Sequence, residues 1–151
     1  MEGRPIRIRR GRRTDFAAVL ELLAGADAPV PPPDRAMLRR FRQLVADLGC
    51  DLYLATIDER VVGLVHVTYA RQLASAPLAT LATLVVAQSA RRRGVGTALL
   101  HFIAARARRR ACSGLRCAVG ASNGGRAADF LRRAGAQPLG SLFELPLAEE
   151  A

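Results

Sequence analysis

An apolar run of strand character, "LATLATLVVA" from Leu78 to Ala87, leads into "RRRGVG" and then into the helix-forming segment "TALLHFIAARARRR". A strand that feeds a glycine turn and a helix commits the chain to a sheet with a helix laid back across it, because the helix buries its apolar stripe against a sheet face. The junction also has a chemical meaning. The first N–H groups of a helix lack intrahelical partners and the helix dipole favours negative charge there, so such a junction suits phosphate. Gly94 and Gly96 lack a Cβ, which lets the backbone take positive φ and come close to an anion. Arg91, Arg92 and Arg93 add charge at the rim.

Three anion-binding designs share this logic, and the residues separate them. A Walker-type loop needs a Gly-Lys-Ser/Thr step, and this chain has no lysine. A dinucleotide fingerprint needs a third glycine where "GVGTAL" has Leu99. What remains is Arg-x-x-Gly-x-Gly, Arg91 to Gly96. All 23 basic side chains are arginine and the net charge is +10. Arginine's planar fork holds phosphate bidentately, which points to a nucleotide cofactor or nucleic acid. The coding bias of a GC-rich genome produces the same composition, so composition alone does not choose. The densest cluster, "RIRRGRR" with Arg7, Arg9, Arg10, Arg12 and Arg13, supports a nucleic-acid reading. It has no aromatic stacking platform beside it, and a solvated basic edge that attracts an anionic cofactor accounts for it better.

At 151 residues, 50% hydrophobic, the chain fits one domain spanning 1–151 with one sizeable core. No apolar run reaches 18 residues, and "MEGRPIRIRRGRR" has a signal peptide's charge without its apolar region, so a soluble, cytoplasmic protein is expected. Cys50, Cys112 and Cys117 are odd in number and lack metal-type spacing, which predicts free thiols and no metal site. Ile6 and Ile8 share one face of a strand over Pro5 to Arg10. Thr14 and Asp15 supply N-cap chemistry for a helix closed by Gly25. "APVPPP" reads as a loop, and Asp34 caps a second helix running to Gly49. "DLYLATID" and "VVGLVHVTYAR" read as an antiparallel hairpin turning near Asp58 to Arg60. Leu78 to Ala87 reads as a central strand buried on both faces. A helix to about Arg110, a short strand "GLRCAVG", a helix "GGRAADFLRRAG" and a last strand "PLGSLFELPL" complete a mixed α/β order.

With this order in place the chain resembles the GNAT superfamily of acetyl-CoA-dependent N-acyltransferases. "ARRRGVGTALL" matches its pyrophosphate motif Arg/Gln-x-x-Gly-x-Gly/Ala. "IRIRRGRRTDFAAVLELL" is similar to its first strand and helix, "RVVGLVHV" to its third strand, and "GGRAADFLRRAGA" to its last helix. The resemblance implies a mixed, mostly antiparallel sheet flanked by helices, with a splayed central strand pair. It implies that Arg91, Arg92, Arg93, Gly94, Val95, Gly96 and Thr97 hold the pyrophosphate of acetyl-CoA. The pantetheine arm would then pair with Leu84, Val85 and Val86 where "LATLVVA" and "GLRCAVG" part. The implied activity is transfer of an acetyl group to an amine acceptor, a small molecule or a protein N-terminus; a homodimer is a possible assembly, and no membrane partner is expected.

The chain departs from the family pattern at the catalytic end. A tyrosine that often protonates the departing thiolate falls on Leu131 when "RAADFLRRAGA" is aligned, and Leu131 cannot donate a proton. Tyr69, Ser122 and a water are the candidate replacements. Asn123 stands one residue before the family's usual asparagine, either toward the cofactor or as a helix cap. The family commonly places a glutamate on the central strand, where only Thr80 and Thr83 are available. His66 in "GLVHVTY" has the intrinsic pKa of a base near neutral pH, on a face with Leu64 and Thr68; a packed strand histidine is the plainer reading. Asp129 and Glu144 are the acids nearest in sequence to the expected cleft, and His101 is expected to be exposed. A CoA-binding module without turnover is the alternative that Leu131 motivates.

Overall fold

In the computed structural model, which describes residues 3–25, 32–119 and 125–147, the chain forms two compact units, Met1–Cys117 and Ala118–Ala151. The first holds a five-stranded sheet in the order β1-β2-β3-β4-β5: β1 (Arg7–Arg10), β2 (Cys50–Ile57), β3 (Arg60–Ala70), β4 (Leu78–Val86) and β5 (Leu115–Cys117). The first four pair antiparallel and β5 joins β4 in parallel. A mixed, mostly antiparallel sheet is therefore what forms. The β2–β3 hairpin turns through Asp58 (φ 50°) and Glu59 (φ 65°), a left-handed pair made without glycine.

Alternation along the strands sorts side chains into two cores. On one face Ala55, Val65, Val67 and Ala79 meet α3 (Val95–Arg109), which buries Val95, Leu99, Ile103 and Ala107 at helical spacing. On the other, Leu52, Leu54 and Leu64 meet Val19 and Leu22 of α1 (Phe16–Ala24) and Phe41 of α2 (Arg35–Ala46). The start of α1 differs from the expected simple N-cap. A 3-10 turn over Arg13–Asp15 precedes it, and the Asp15 carboxylate accepts from Arg12 N at 2.7 Å while Arg9 binds it bidentately at 2.8 Å through each nitrogen. Asp34 caps α2 as expected, accepting from Met37 N at 2.7 Å.

Two expectations are corrected. The run over β4 is half-buried rather than buried on both faces, because β5 flanks only Ala79, Thr80 and Leu81. In the second unit α4 (Arg126–Arg133) forms between the left-handed glycines Gly125 and Gly135, but no strand follows it over residues 137–147. Strand propensity is realised only with a partner ladder, and no ladder involves "PLGSLFELPL" among the described residues.

Candidate functional site

β4 carries an irregularity that alternation does not reveal. His66 pairs with Thr83 and the next β3 residue, Val67, pairs with Leu81, so Ala82 is an extra residue, a β-bulge, and is exposed. The bulge keeps side-chain faces in phase. Leu81 before it and Leu84 and Val86 after it all pack against the α3 core, while Val85 packs on the α1–α2 side. From Ala82 onward no residue of β4 is paired with β5 among the described residues. Among the described residues, one edge of Ala82 to Val86 therefore has no strand partner.

That open edge leads to the arginine–glycine turn. Ala87 N donates to Val62 O at 2.8 Å, a 3-10 turn spans Gln88–Ala90, and Arg91 is extended. Arg92 (φ 63°) and Gly94 (φ 81°) are left-handed. Left-handed residues among right-handed ones turn successive N–H groups to one side and build an anion-binding concavity. The first intrahelical bond of α3 runs from Ala98 N to Gly94 O at 2.9 Å, and no side chain caps Gly94. The N–H groups of Val95, Gly96 and Thr97 thus precede that bond at the dipole's positive end. Open space within 4 Å stands where Gly94 would carry a Cβ, and Arg91, Arg92, Arg93 and Thr97 are exposed. These residues fit a pyrophosphate.

A second glycine seats the helix that carries the turn. A Cβ on Gly63 of β3 would stand 2.9 Å from both Val95 Cγ1 and Leu99 Cδ1. Only glycine lets the first turn of α3 approach the sheet this closely.

The two sequence candidates for acid–base work lie on opposite faces of β3. Tyr69 faces α3, and its hydroxyl donates to Asp51 Oδ2 at 2.6 Å. Burial, that hydrogen bond and the Asp51 charge together push its pKa up. Asp51, with a side chain 0% exposed, also accepts from Arg106 Nε at 2.7 Å, while Arg10 and Arg110 each approach Oδ1 at 3.6 Å. Burial alone would raise its pKa; the Arg106 and Tyr69 hydrogen bonds and the charges of Arg106 and Arg110 outweigh it and hold the carboxyl low. Tyr69's proton is thus committed to a buried ion cluster. His66 faces the other way, across from Leu52 and Thr83. Its Nε2 is buried with no hydrogen-bond partner among the described residues, and burial lowers its pKa, opposed by the Asp47 charge.

Sequence reading missed the Asp51 cluster, although Asp51 shares parity with Tyr53 and Ala55 on the α3 face. It also missed Gly63 and the bulge. Ser122 and Asn123 lie outside the described residues. Leu131 stands on α4 within the second unit. His101 is exposed as expected, and Cys50, Cys112 and Cys117 are free. Of the N-terminal arginines, Arg9 is held by Asp15 and Arg10 turns to Asp51 and to Asp47 O at 3.1 Å. Part of that basic cluster is therefore spent inside the fold. No described helix is long and apolar enough to cross a membrane, and no group of metal ligands exists among the described residues.

The sequence profile of the acetyltransferase (GNAT) family matches residues 17–136. No curated protein sequence matches the chain. Among solved structures, a transcriptional regulator from Bacillus halodurans C-125 has a TM-score of 0.85 at 20% identity, covering 95% of this chain and 100% of its own. An aminoglycoside 6'-N-acetyltransferase from Acinetobacter baumannii has a TM-score of 0.81 at 16% identity, covering 97% and 100%. A ribosomal-protein-alanine N-acetyltransferase from Brucella melitensis has a TM-score of 0.78 at 17% identity, covering 95% and 100%. At these identities the likeness is one of fold.

Proposed function

Because the chain belongs to the acetyltransferase (GNAT) family, we propose that it moves an acetyl group from acetyl-CoA to the primary amine of a small molecule or a protein N-terminus, its 151 residues working as one domain. The observation that carries this reading is the turn itself. Arg92 and Gly94 are both left-handed and lie between an extended strand with an open edge and a helix N-terminus without a side-chain cap. Arg91 to Thr97 would hold the pyrophosphate by backbone N–H groups and rim charge, and the free edge at Leu84, Val85 and Val86 would pair with the amide-bearing arm. Acetyl-CoA supplies an acyl carbonyl activated by a thiol leaving group. The amine must lose a proton as its nitrogen bonds that carbon, and the sulfur takes up a proton as the C–S bond breaks.

The net charge of +10 supports an acceptor that is neutral or anionic apart from its amine, since a cationic surface repels polycations. Leu131, where the family often has a tyrosine, supports a second reading, a CoA-binding module with little turnover. One pair of measurements separates them. Millimolar acetyl-CoA should raise the melting temperature, since a native-state ligand at a hundredfold excess over Kd adds about 2.7 kcal/mol, and a panel of amines should then release free thiol. Absence of any thermal shift would overturn both readings; a shift without thiol release would favour the binding module.

A further inference from the structure

We propose that His66 is the catalytic base that takes the proton from the attacking amine, placed on β3 one strand in from the open β4 edge and level with its end. This rests on the reading of that edge and the arginine–glycine turn as the acetyl-CoA site. Counting back along β4 from the turn, the free edge offers Val86, Val85, Leu84, Thr83 and Ala82, and it closes at Leu81, which pairs with Cys117. Thr83 is about 10 Å from Val86 at a strand rise of roughly 3.3 Å per residue. The reacting end of an arm anchored at the turn is therefore delivered at the level of Thr83 and Ala82.

His66 is the register partner of Thr83, and directly opposed side chains on one sheet face have Cβ atoms about 4.5–5.5 Å apart. The other face is filled at this level by Val65, Val67, Leu81 and Leu84 against α3. An acceptor consequently reaches the thioester from the face of His66 and Thr83, where Thr68 and Ala82 are exposed. The imidazole itself is half-buried, and its Nε2 is without a hydrogen-bond partner among the described residues. A buried ring nitrogen without a partner is costly, and a ring turned toward the exposed Thr68 and Ala82 would gain one from a substrate N–H.

The surroundings keep His66 in the form a base needs. β2 opposes it with Leu52 and β4 with Thr83. The one charge on α1, Glu21, is exposed, as are Arg35, Arg39, Arg40 and Arg42 of α2. Asp47, after the end of α2, is the charge that acts on the ring, raising its pKa; burial acts more strongly and lowers it below 6.5. In the reaction the amine nitrogen bonds the acyl carbon and gives one proton to His66. The C–S bond breaks, and the thiolate takes one proton from His66 or from solvent.

The test is His66→Gln, which keeps the ring's approximate size without titrating. With an amine that wild type accepts, kcat should fall about 10²-fold or more, while KM for acetyl-CoA and its thermal shift stay as in wild type. The acid limb of the wild-type kcat profile, with an apparent pKa below about 6.5, should vanish. His66→Ala should recover part of its rate in added imidazole. A His66→Gln protein that turns over within about twofold of wild type with the same acid limb overturns the inference and leaves the proposed function standing. A wild-type profile without an acid limb does the same, whatever the variants' folding. A wild type that acetyl-CoA does not stabilise overturns the proposed function and this inference with it.

Discussion

Arg106 on α3 donates from Nε to Asp51 Oδ2 on β2 across 2.7 Å, tying the helix to the sheet at a carboxylate with no solvent exposure. Tyr69 completes the tie from β3, and Arg110 lies 4.1 Å over the Tyr69 ring. Asp51→Asn should cost about 3 kcal/mol in urea unfolding, the lower end for breaking a buried pair. The arginines keep 28–33% side-chain exposure and can turn to water, which limits the loss.

The same cluster gives stability a pH dependence. The Asp51 carboxyl is held below its ordinary value of 3.8 in the folded protein, so the unfolded chain binds the proton more readily. Its contribution is complete above about pH 4 to 5 and is lost as the pH falls through the folded value. Asp15, held low chiefly by its hydrogen bond from Arg9, acts in the same direction. Unfolding midpoints of wild type and Asp51→Asn, measured from pH 7 to pH 2, should therefore converge toward the acid end. A constant gap would show that this carboxylate does not set the acid limb.

Gly63 should tolerate no side chain. In Gly63→Ala the new Cβ meets Val95 and Leu99 at 2.9 Å, and overpacking of this kind typically costs about 1–3 kcal/mol. Because the displaced atoms belong to the first turn of α3, the thermal shift with acetyl-CoA should also shrink. Loss of stability with an undiminished shift would mean that the anion turn does not depend on how the helix is seated.

The turn's backbone and its charges can be separated. Gly94→Val forces a β-branched residue to φ 81°, at roughly 1–2 kcal/mol, and puts atoms into the space that an anion needs; acetyl-CoA should no longer stabilise this variant. Arg92→Gly keeps the left-handed backbone and removes one guanidinium. It should retain binding, with a larger Kd and a weaker salt dependence than wild type. If Gly94→Val binds normally by calorimetry, the turn is only a structural link.

Leu131→Tyr tests the missing acid. If protonation of the departing thiolate limits the rate, the variant should raise kcat by up to about 10² with KM for acetyl-CoA unchanged. Unchanged turnover in a folded variant would assign that proton to water or to another group.

Strands, helices and the arginine–glycine turn were legible because each leaves a local mark: β-branched and aromatic residues in β2 and β3, helical spacing in α3, and a glycine where φ is positive at Gly94. Long-range pairings left no such mark. Asp51 meets Arg106 across 55 residues, and neither neighbourhood announces the other. The triplet Leu-Ala-Thr occurs twice in succession at Leu78 and Leu81, a period of three inside an element whose period is two. Only the pairing of β3 with β4 shows that Ala82 absorbs the mismatch. "PLGSLFELPL" has the apolar spacing of a strand, yet propensity alone did not make it one.

The extra residue at Ala82 separates two jobs that one strand performs. Thr80 and Thr83 on one side, and Leu81 and Leu84 on the other, would hold their faces if Ala82 were removed, because the remaining residues alternate in the same phase. What would change is the bend and added twist that a bulge gives its strand. Packing and bend are thus encoded at different positions of one strand. Deleting Ala82 would leave the two packing faces in place while changing the path of the strand that leads into the arginine–glycine turn.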